Sequence, residues 1–144
     1  MAESVAARLR KHGFKCKTVE ITVRDNGLYS FSRQIHLRQP TNITNEIVTA
    51  AFRLFKDNYK WEHSIRSLGI RAADLVLDDI PVQLDLFGNQ EKKEKLEKLD
   101  RTVDEIRRRF GYFSIQRAAM YQDKVLSHLD AGTHTIHPHS YFHG

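Results

Sequence analysis

Cysteine is nearly absent from this 144-residue chain: Cys16 is the single one. That excludes an internal disulfide and a cysteine-based zinc site. It leaves Cys16 as a small strand or strand-edge residue suited to a reducing compartment. No apolar run approaches the ~18 residues of a membrane helix, and no basic start is followed by the apolar middle of a secretory leader. Paired carboxylates of the kind that hold two catalytic metal ions are missing as well. Asp78-Asp79 is an adjacent pair, but strand neighbours point to opposite faces, so it reads as a turn.

What is present is ordinary in amount and uneven in placement. Hydrophobic residues make up 40% and charged residues 28%, as in a soluble globular domain with one appendage. The net charge of +5 is concentrated. Between Arg8 and Arg38 stand eight basic residues (Arg8, Arg10, Lys11, Lys15, Lys17, Arg24, Arg33, Arg38) against Glu20 and Asp25. A basic stretch of this density points to a polyanionic partner, nucleic acid first.

Periodicity gives the elements. Val5 to Lys11 forms a short helix ended by Gly13. Lys17 to Arg24 alternates, with Val19, Ile21 and Val23 to one side and Thr18, Glu20, Thr22 and Arg24 to the other, which is a half-buried strand. Asp25-Asn26-Gly27 predicts a tight hairpin turn. The second strand, Tyr29 to Arg38, is expected to bury Tyr29, Phe31, Ile35 and Leu37. Its other face carries Ser30, Ser32, Gln34, His36 and Arg38. Arg33 falls on the apolar phase, so either a bulge shifts the register or its stem snorkels to an edge.

Pro40 is expected to stop that strand, and Asn42 or Thr44 to cap a helix reaching Tyr59. Ile47, Ala51, Leu54 and Phe55 form its apolar stripe, widened by Val48 and Phe52. Ser64 to Leu77 reads as a third strand, with a bulge or close backbone approach at Gly69. The class is therefore α+β, an antiparallel sheet with helices on one face. The opposite face is left polar, hydroxyl-rich and cationic. Short hydroxyls, an amide and guanidinium groups bind phosphate oxygens without reading bases. Aromatic residues are not interleaved there, which argues against a stacking platform for single strands.

Gln83-Leu84-Asp85-Leu86-Phe87 lies between Pro81 and Gly88-Asn89. Three large apolar side chains in five residues, bracketed by breakers, suit a docking peptide or an edge segment folded onto its own core. Beyond it, Leu96, Leu99, Val103, Ile106 and Phe110 make a heptad-like seam on a helix from Glu91 to Arg109. Glu97 with Arg101, Asp104 with Arg108 and Glu105 with Arg109 support that helix. Arg107-Arg108-Arg109 compensates its C-terminus or contacts nucleic acid, and a second short helix is expected over Ser114 to Tyr121. His128, His134, His137, His139 and His143 close the chain and are read as part of a tail without a metal role.

These pieces, in this order, resemble the C-terminal little finger (polymerase-associated) domain of Y-family translesion DNA polymerases. The short helix Val5-Ala-Ala-Arg-Leu-Arg10 leads into a strand. Tyr29-Ser-Phe-Ser-Arg-Gln34 is similar to the family's hydroxyl-plus-arginine strand, and Thr41-Asn42 opens the long helix. Ile65-Arg-Ser-Leu-Gly-Ile70 resembles its Arg-x-Leu-Gly-Val segment. Gln83 to Phe87 is similar to the bacterial sliding-clamp-binding peptide. The run from Leu99 to Gly111 resembles the extension of the DinB-like and UmuC-like bacterial branches.

The resemblance implies a little finger domain over 1–80 and a clamp-binding peptide and linker over 81–89. A helical extension over 90–121 and a tail over 122–144 would follow. It implies three strands here, four if a missing N-terminal strand is replaced, with an edge open to pairing in a homodimer. It implies a sheet face that grips primer-template duplex through Arg24, Ser30, Ser32, Arg33, Gln34, Arg38, Arg66 and Arg71. Gln83, Leu84, Asp85, Leu86 and Phe87 would bind the beta sliding clamp of DNA polymerase III. No catalytic residue and no cofactor belong to this stretch. Mg2+ and nucleotidyl transfer would belong to the palm, fingers and thumb of a parent polymerase in the bacterial cytoplasm, acting in the SOS response. A stand-alone clamp-binding adaptor, or a nucleic-acid-binding domain with no clamp role, are the alternatives.

Overall fold

The structure, a computed structural model, describes residues 1–79, 90–123 and 125. In chain order the elements are α1 (Ala2–Lys11), β1 (Phe14–Asp25), β2 (Ser30–Thr41), α2 (Thr44–Asn58), β3 (Ile65–Leu77) and α3 (Gln90–Phe110). Two short 3-10 turns follow, Tyr112–Ser114 and Ala118–Gln122. They stand where one short helix was expected. The chain divides into two compact units, Met1–Thr102 and Val103–Gly144.

In the first unit the three strands form an antiparallel sheet in the order β2-β1-β3. The α+β architecture expected from periodicity is therefore present, with β1 hydrogen-bonded on both sides. Val19, Ile21 and Val23 of β1 are fully buried, and α1 packs over β1 and β3 while α2 packs over β1 and β2. Ile47, Ala51 and Leu54 of α2 and Ala6 and Leu9 of α1 complete the core, flanked by Phe31, Ile35, Ile70 and Ala72. Each fully buried Val or Ile contributes roughly 1.5–3 kcal/mol relative to exposure. Cys16 is buried in the same core; burial pushes its thiol up to about 11 and keeps it protonated.

Several boundaries depart from the sequence pattern, each for a physical reason. The hairpin turn does not use Asn26-Gly27 as its left-handed pair: Leu28 carries the positive φ, 68°. The Asp25 carboxylate accepts from the Tyr29 backbone N–H at 3.0 Å, and the Asn26 N–H donates to the Ser64 carbonyl at 2.9 Å. These bonds hold a longer loop, and Tyr29 ends 67% exposed rather than buried. Pro40 does not stop β2, which continues to Thr41. Because β2 is an edge strand whose register with β1 shifts between Thr18 and Cys16, a residue without an N–H is tolerated there.

Val48 and Phe52 do not widen the buried stripe of α2 and are 38% and 64% exposed. Phe55 instead stacks on Tyr59 at 5.3 Å between ring centroids, and Trp61 meets both edge-on. Gly13, at φ 70°, takes the left-handed backbone that ends α1, as expected.

The N-terminus of α2 is not capped by Asn42 or Thr44. Asp100 of α3 accepts from the Thr44 backbone N–H at 2.7 Å. Arg10 of α1 donates to Asp100 at 3.2 Å, to the Asn42 carbonyl at 2.7 Å and to the Thr44 hydroxyl at 3.2 Å. One buried carboxylate thus joins three helices, with both charged side chains about a tenth exposed. It also places negative charge at the positive end of the α2 dipole.

In the second unit, Glu105 takes both Arg108 at 3.0 Å and Arg109 at 2.8 Å, and the Arg108 hydrogen bond leads in holding its carboxyl below the usual range. Arg107 turns back onto the Ile115 carbonyl at 3.0–3.1 Å and lies over the Tyr112 ring. The arginine run therefore closes its own helix end.

Asp100→Ala strips α2 of its cap and leaves Arg10 buried without that carboxylate. A loss of about 2–4 kcal/mol in urea unfolding is expected, whereas a loss below about 0.5 kcal/mol would contradict the role given to this contact.

Candidate nucleic-acid interface

The pairing registers set out the face of the sheet that no described helix covers. Arg24 of β1 lies between Ser30 of β2 and Ser67 of β3; Thr22 lies between Ser32 and Gly69; Glu20 lies between Gln34 and Arg71; Thr18 lies between His36 and Ala73. These are the alternate residues to the buried Val19, Ile21 and Val23, so they share the outer side. Arg24, Thr22, Ser30, Ser32, Gln34, His36, Ser67 and Arg71 are all exposed. Four rows of short donors and two guanidinium groups result, with Glu20 and Asp74 as the anions among them.

Local contacts shape this surface. The Thr22 and Ser32 hydroxyls lie 3.0 Å apart across the strands. Gly69 fills the middle row next to Thr22. A Cβ built there would sit 3.7 Å from the Thr22 Cβ, an ordinary contact, and its φ lies outside the left-handed region. Neither packing nor backbone strain therefore requires glycine at this position. With no side chain at Gly69, the centre of the face is low. The bulge expected there lies instead at Arg66, the extra residue where the register with β1 shifts between Arg24 and Asp25.

Of the residues singled out from sequence, Arg24, Ser30, Ser32, Gln34 and Arg71 come together on one face. Arg33, Arg38 and Arg66 do not join its rows. Arg33 pairs opposite Ile21, on the helix-side phase of the edge strand, with no register shift beside it. Its guanidinium lies 5.4 Å from the Phe31 ring centroid and donates to the Ser32 carbonyl at 2.9 Å, so the stem snorkels to the rim. Arg38 lines a cleft of about 520 Å³ between β2, α2 and the start of α3, with Leu37, Arg53, Lys93 and Leu96. Arg66 is exposed at its bulge.

Ser67 and His36 complete the rows and were not singled out. Counting alternate residues outward from Gly69 reaches Ser67, while the pairing of His36 needs the register itself. Gln83 to Phe87 and the histidines from His128 onward lie outside the described residues. Among the described residues no group of three or more His, Cys, Asp or Glu side chains converges as a metal site, and no described helix is long and apolar enough to cross a membrane.

Comparison with known proteins agrees with the resemblance. The impB/mucB/samB family C-terminal domain matches residues 1–86. A DNA polymerase IV of Acetivibrio thermocellus is 41% identical over 129 residues, 90% of this chain and 32% of that protein. A DNA polymerase IV of Dehalococcoides mccartyi is 31% identical over 127 residues, covering 88% and 31%. DNA polymerase IV 2 of Bacillus subtilis is 35% identical over 122 residues, covering 83% and 28%. The chain spans about a third of the length of the curated relatives it matches.

Proposed function

We propose, because this chain belongs to the impB/mucB/samB family through its C-terminal domain, that it is the duplex-gripping and clamp-tethering part of a lesion-bypass DNA polymerase. The relatives named DNA polymerase IV support a polymerase as the parent. The observation that carries the reading is the register of the open face. Arg24, Ser30, Ser32, Gln34 and Arg71 share one solvent-facing surface with a glycine at its centre.

Hydroxyls, an amide and guanidinium groups without an interleaved aromatic suit phosphate oxygens rather than unstacked bases. Such contacts fix the protein on a duplex of any sequence, which is what a polymerase that copies arbitrary and damaged templates needs. Arg33, Arg38 and Arg66 are rim contacts in this reading. Mg2+ and the nucleotidyl-transfer residues belong to the palm of the parent polymerase.

Gln83-Leu84-Asp85-Leu86-Phe87 is proposed as the tether to the beta sliding clamp on the strength of its sequence. In an extended peptide the Gln83 amide pairs with a polar edge of the partner, while Leu86 and Phe87 fill an apolar pocket. Duplex grip through neutral donors and a few cations is weak at physiological salt. A tether to a ring already on the DNA raises the local concentration of the domain at the primer end.

Each arginine that neutralises a phosphate adds about 0.9 to the steepness of the salt dependence on a duplex. Anisotropy titrations of a primer-template over a salt series should show slopes lower by about that amount for Arg24→Ala and Arg71→Ala. Arg53→Ala, whose side chain pairs with Asp57 on α2, should keep the wild-type slope. Unchanged slopes in both face variants would remove the sheet from the interface.

Calorimetry against purified clamp tests the tether separately. Wild type should bind, and Leu86→Ala with Phe87→Ala should abolish the heat while leaving the unfolding midpoint in place. Binding that survives the double substitution would exclude this peptide as the ligand.

A further inference from the structure

The row at the end of the open face holds a relay of side chains that phosphate gripping by arginine and serine leaves unused. Thr18 is only 3% exposed, although its phase places it on the open side. Its hydroxyl lies 3.0 Å from His36 Nδ1 and donates to the Asp74 carboxylate. A hydroxyl has one proton, and a carboxylate only accepts. With the Thr18 proton directed to Asp74, the second bond needs a proton from His36. The imidazole is thereby fixed with Nδ1–H toward Thr18, leaving Nε2 free on an exposed side chain.

A second observation points the same way. Asp74 stands within β3 at φ 51°, in the left-handed region that non-glycine residues seldom enter and that Asp tolerates better than most. Backbone strain of this kind gathers at functional positions. Here it accompanies a carboxylate that reaches across to β1.

We infer that His36 is a phosphate ligand of the duplex-binding face, oriented by Asp74 through Thr18, and that it takes up a proton when DNA binds. The inference rests on the open face being the DNA face. With Nδ1–H engaged, the neutral ring presents an Nε2 lone pair, which repels a phosphate oxygen. The protonated ring presents an N–H donor and a positive charge. A phosphate at Nε2 therefore favours the imidazolium. Nearest to His36 across the strands stand Glu20 on β1 and Asp74 and Arg71 on β3. A phosphate at Nε2 adds a negative charge beside the ring that the free state lacks.

The protonated form binds more tightly, so affinity is highest at low pH and falls as the ring loses its proton.

The test uses the full chain and a short primer-template, titrated by anisotropy from about pH 6 to 8.5 at constant ionic strength. Wild-type affinity should fall by about tenfold, and His36→Gln should be nearly flat at the wild-type high-pH value. Asp74→Asn, which weakens the hold on the ring, should narrow the wild-type span. In parallel, the His36 ring 15N shifts at pH 7 should move toward the imidazolium pattern on adding duplex, a readout that a purely structural relay would not move.

Duplex binding with a pH profile unchanged by His36→Gln, or ring shifts unmoved by DNA, overturns the role of His36 alone. Absence of duplex affinity, or affinity and salt slope indifferent to Arg24→Ala and Arg71→Ala, overturns the DNA face itself.

Discussion

The two-residue period of β1 is the constraint on which the rest of the first unit depends. It is the middle strand, bonded to β2 and β3, and from Val19 to Arg24 its residues alternate between core and open face. Val19, Ile21 and Val23 are sealed under α1 and α2, while Thr22 and Arg24 stand in solvent. A slip of one residue against either neighbour would carry three core side chains into water and a guanidinium into the core. The register that stabilises the fold is therefore the same register that lines up the proposed ligand-facing rows. A change of register would therefore disrupt the core and the open face together.

A second constraint comes from far along the chain. Asp100 reaches the N-terminus of α2 and the Arg10 guanidinium, closing a contact over 90 residues of sequence between α1 and α3. The first N–H of α2 thus depends on a carboxylate that no capping pattern near Thr44 would suggest. This carboxylate ties the middle of α3 to the sheet and its helices. In the sequence, Asp100 lies beyond Gln83 to Phe87 from that sheet.

The sequence was most legible where structure is local. The alternation of β1, the hairpin partner strand, the stripe Ile47-Ala51-Leu54 of α2 and the glycine stop of α1 all appear close to where periodicity puts them. What could not be read depends on contacts across the sheet or between helices. Arg33 broke the alternation, and only the absence of a register shift identifies it as a rim residue over Phe31. Pro40 looks like a stop until β2 is known to be an edge. Asn26-Gly27 carries the strongest short-range turn signal, yet the bonds from Asp25 and Ser64 select a longer loop. Of the candidate site, the β2 serines, Gln34, Arg24 and Arg71 follow from parity. His36 follows from parity too, but its link through Thr18 to Asp74 becomes visible only when three strands are side by side.

The polar side of the sheet and its apolar surroundings offer alternative surfaces for a partner, since Val48, Phe52 and Trp61 are also exposed. An NMR titration of the full chain with a short primer-template separates them most directly. The account predicts that shift changes gather at Thr22, Arg24, Ser30, Ser32, Gly69 and Arg71 and spare Val48, Phe52 and Trp61. Changes concentrated on that aromatic side, with the open sheet unmoved, would contradict it.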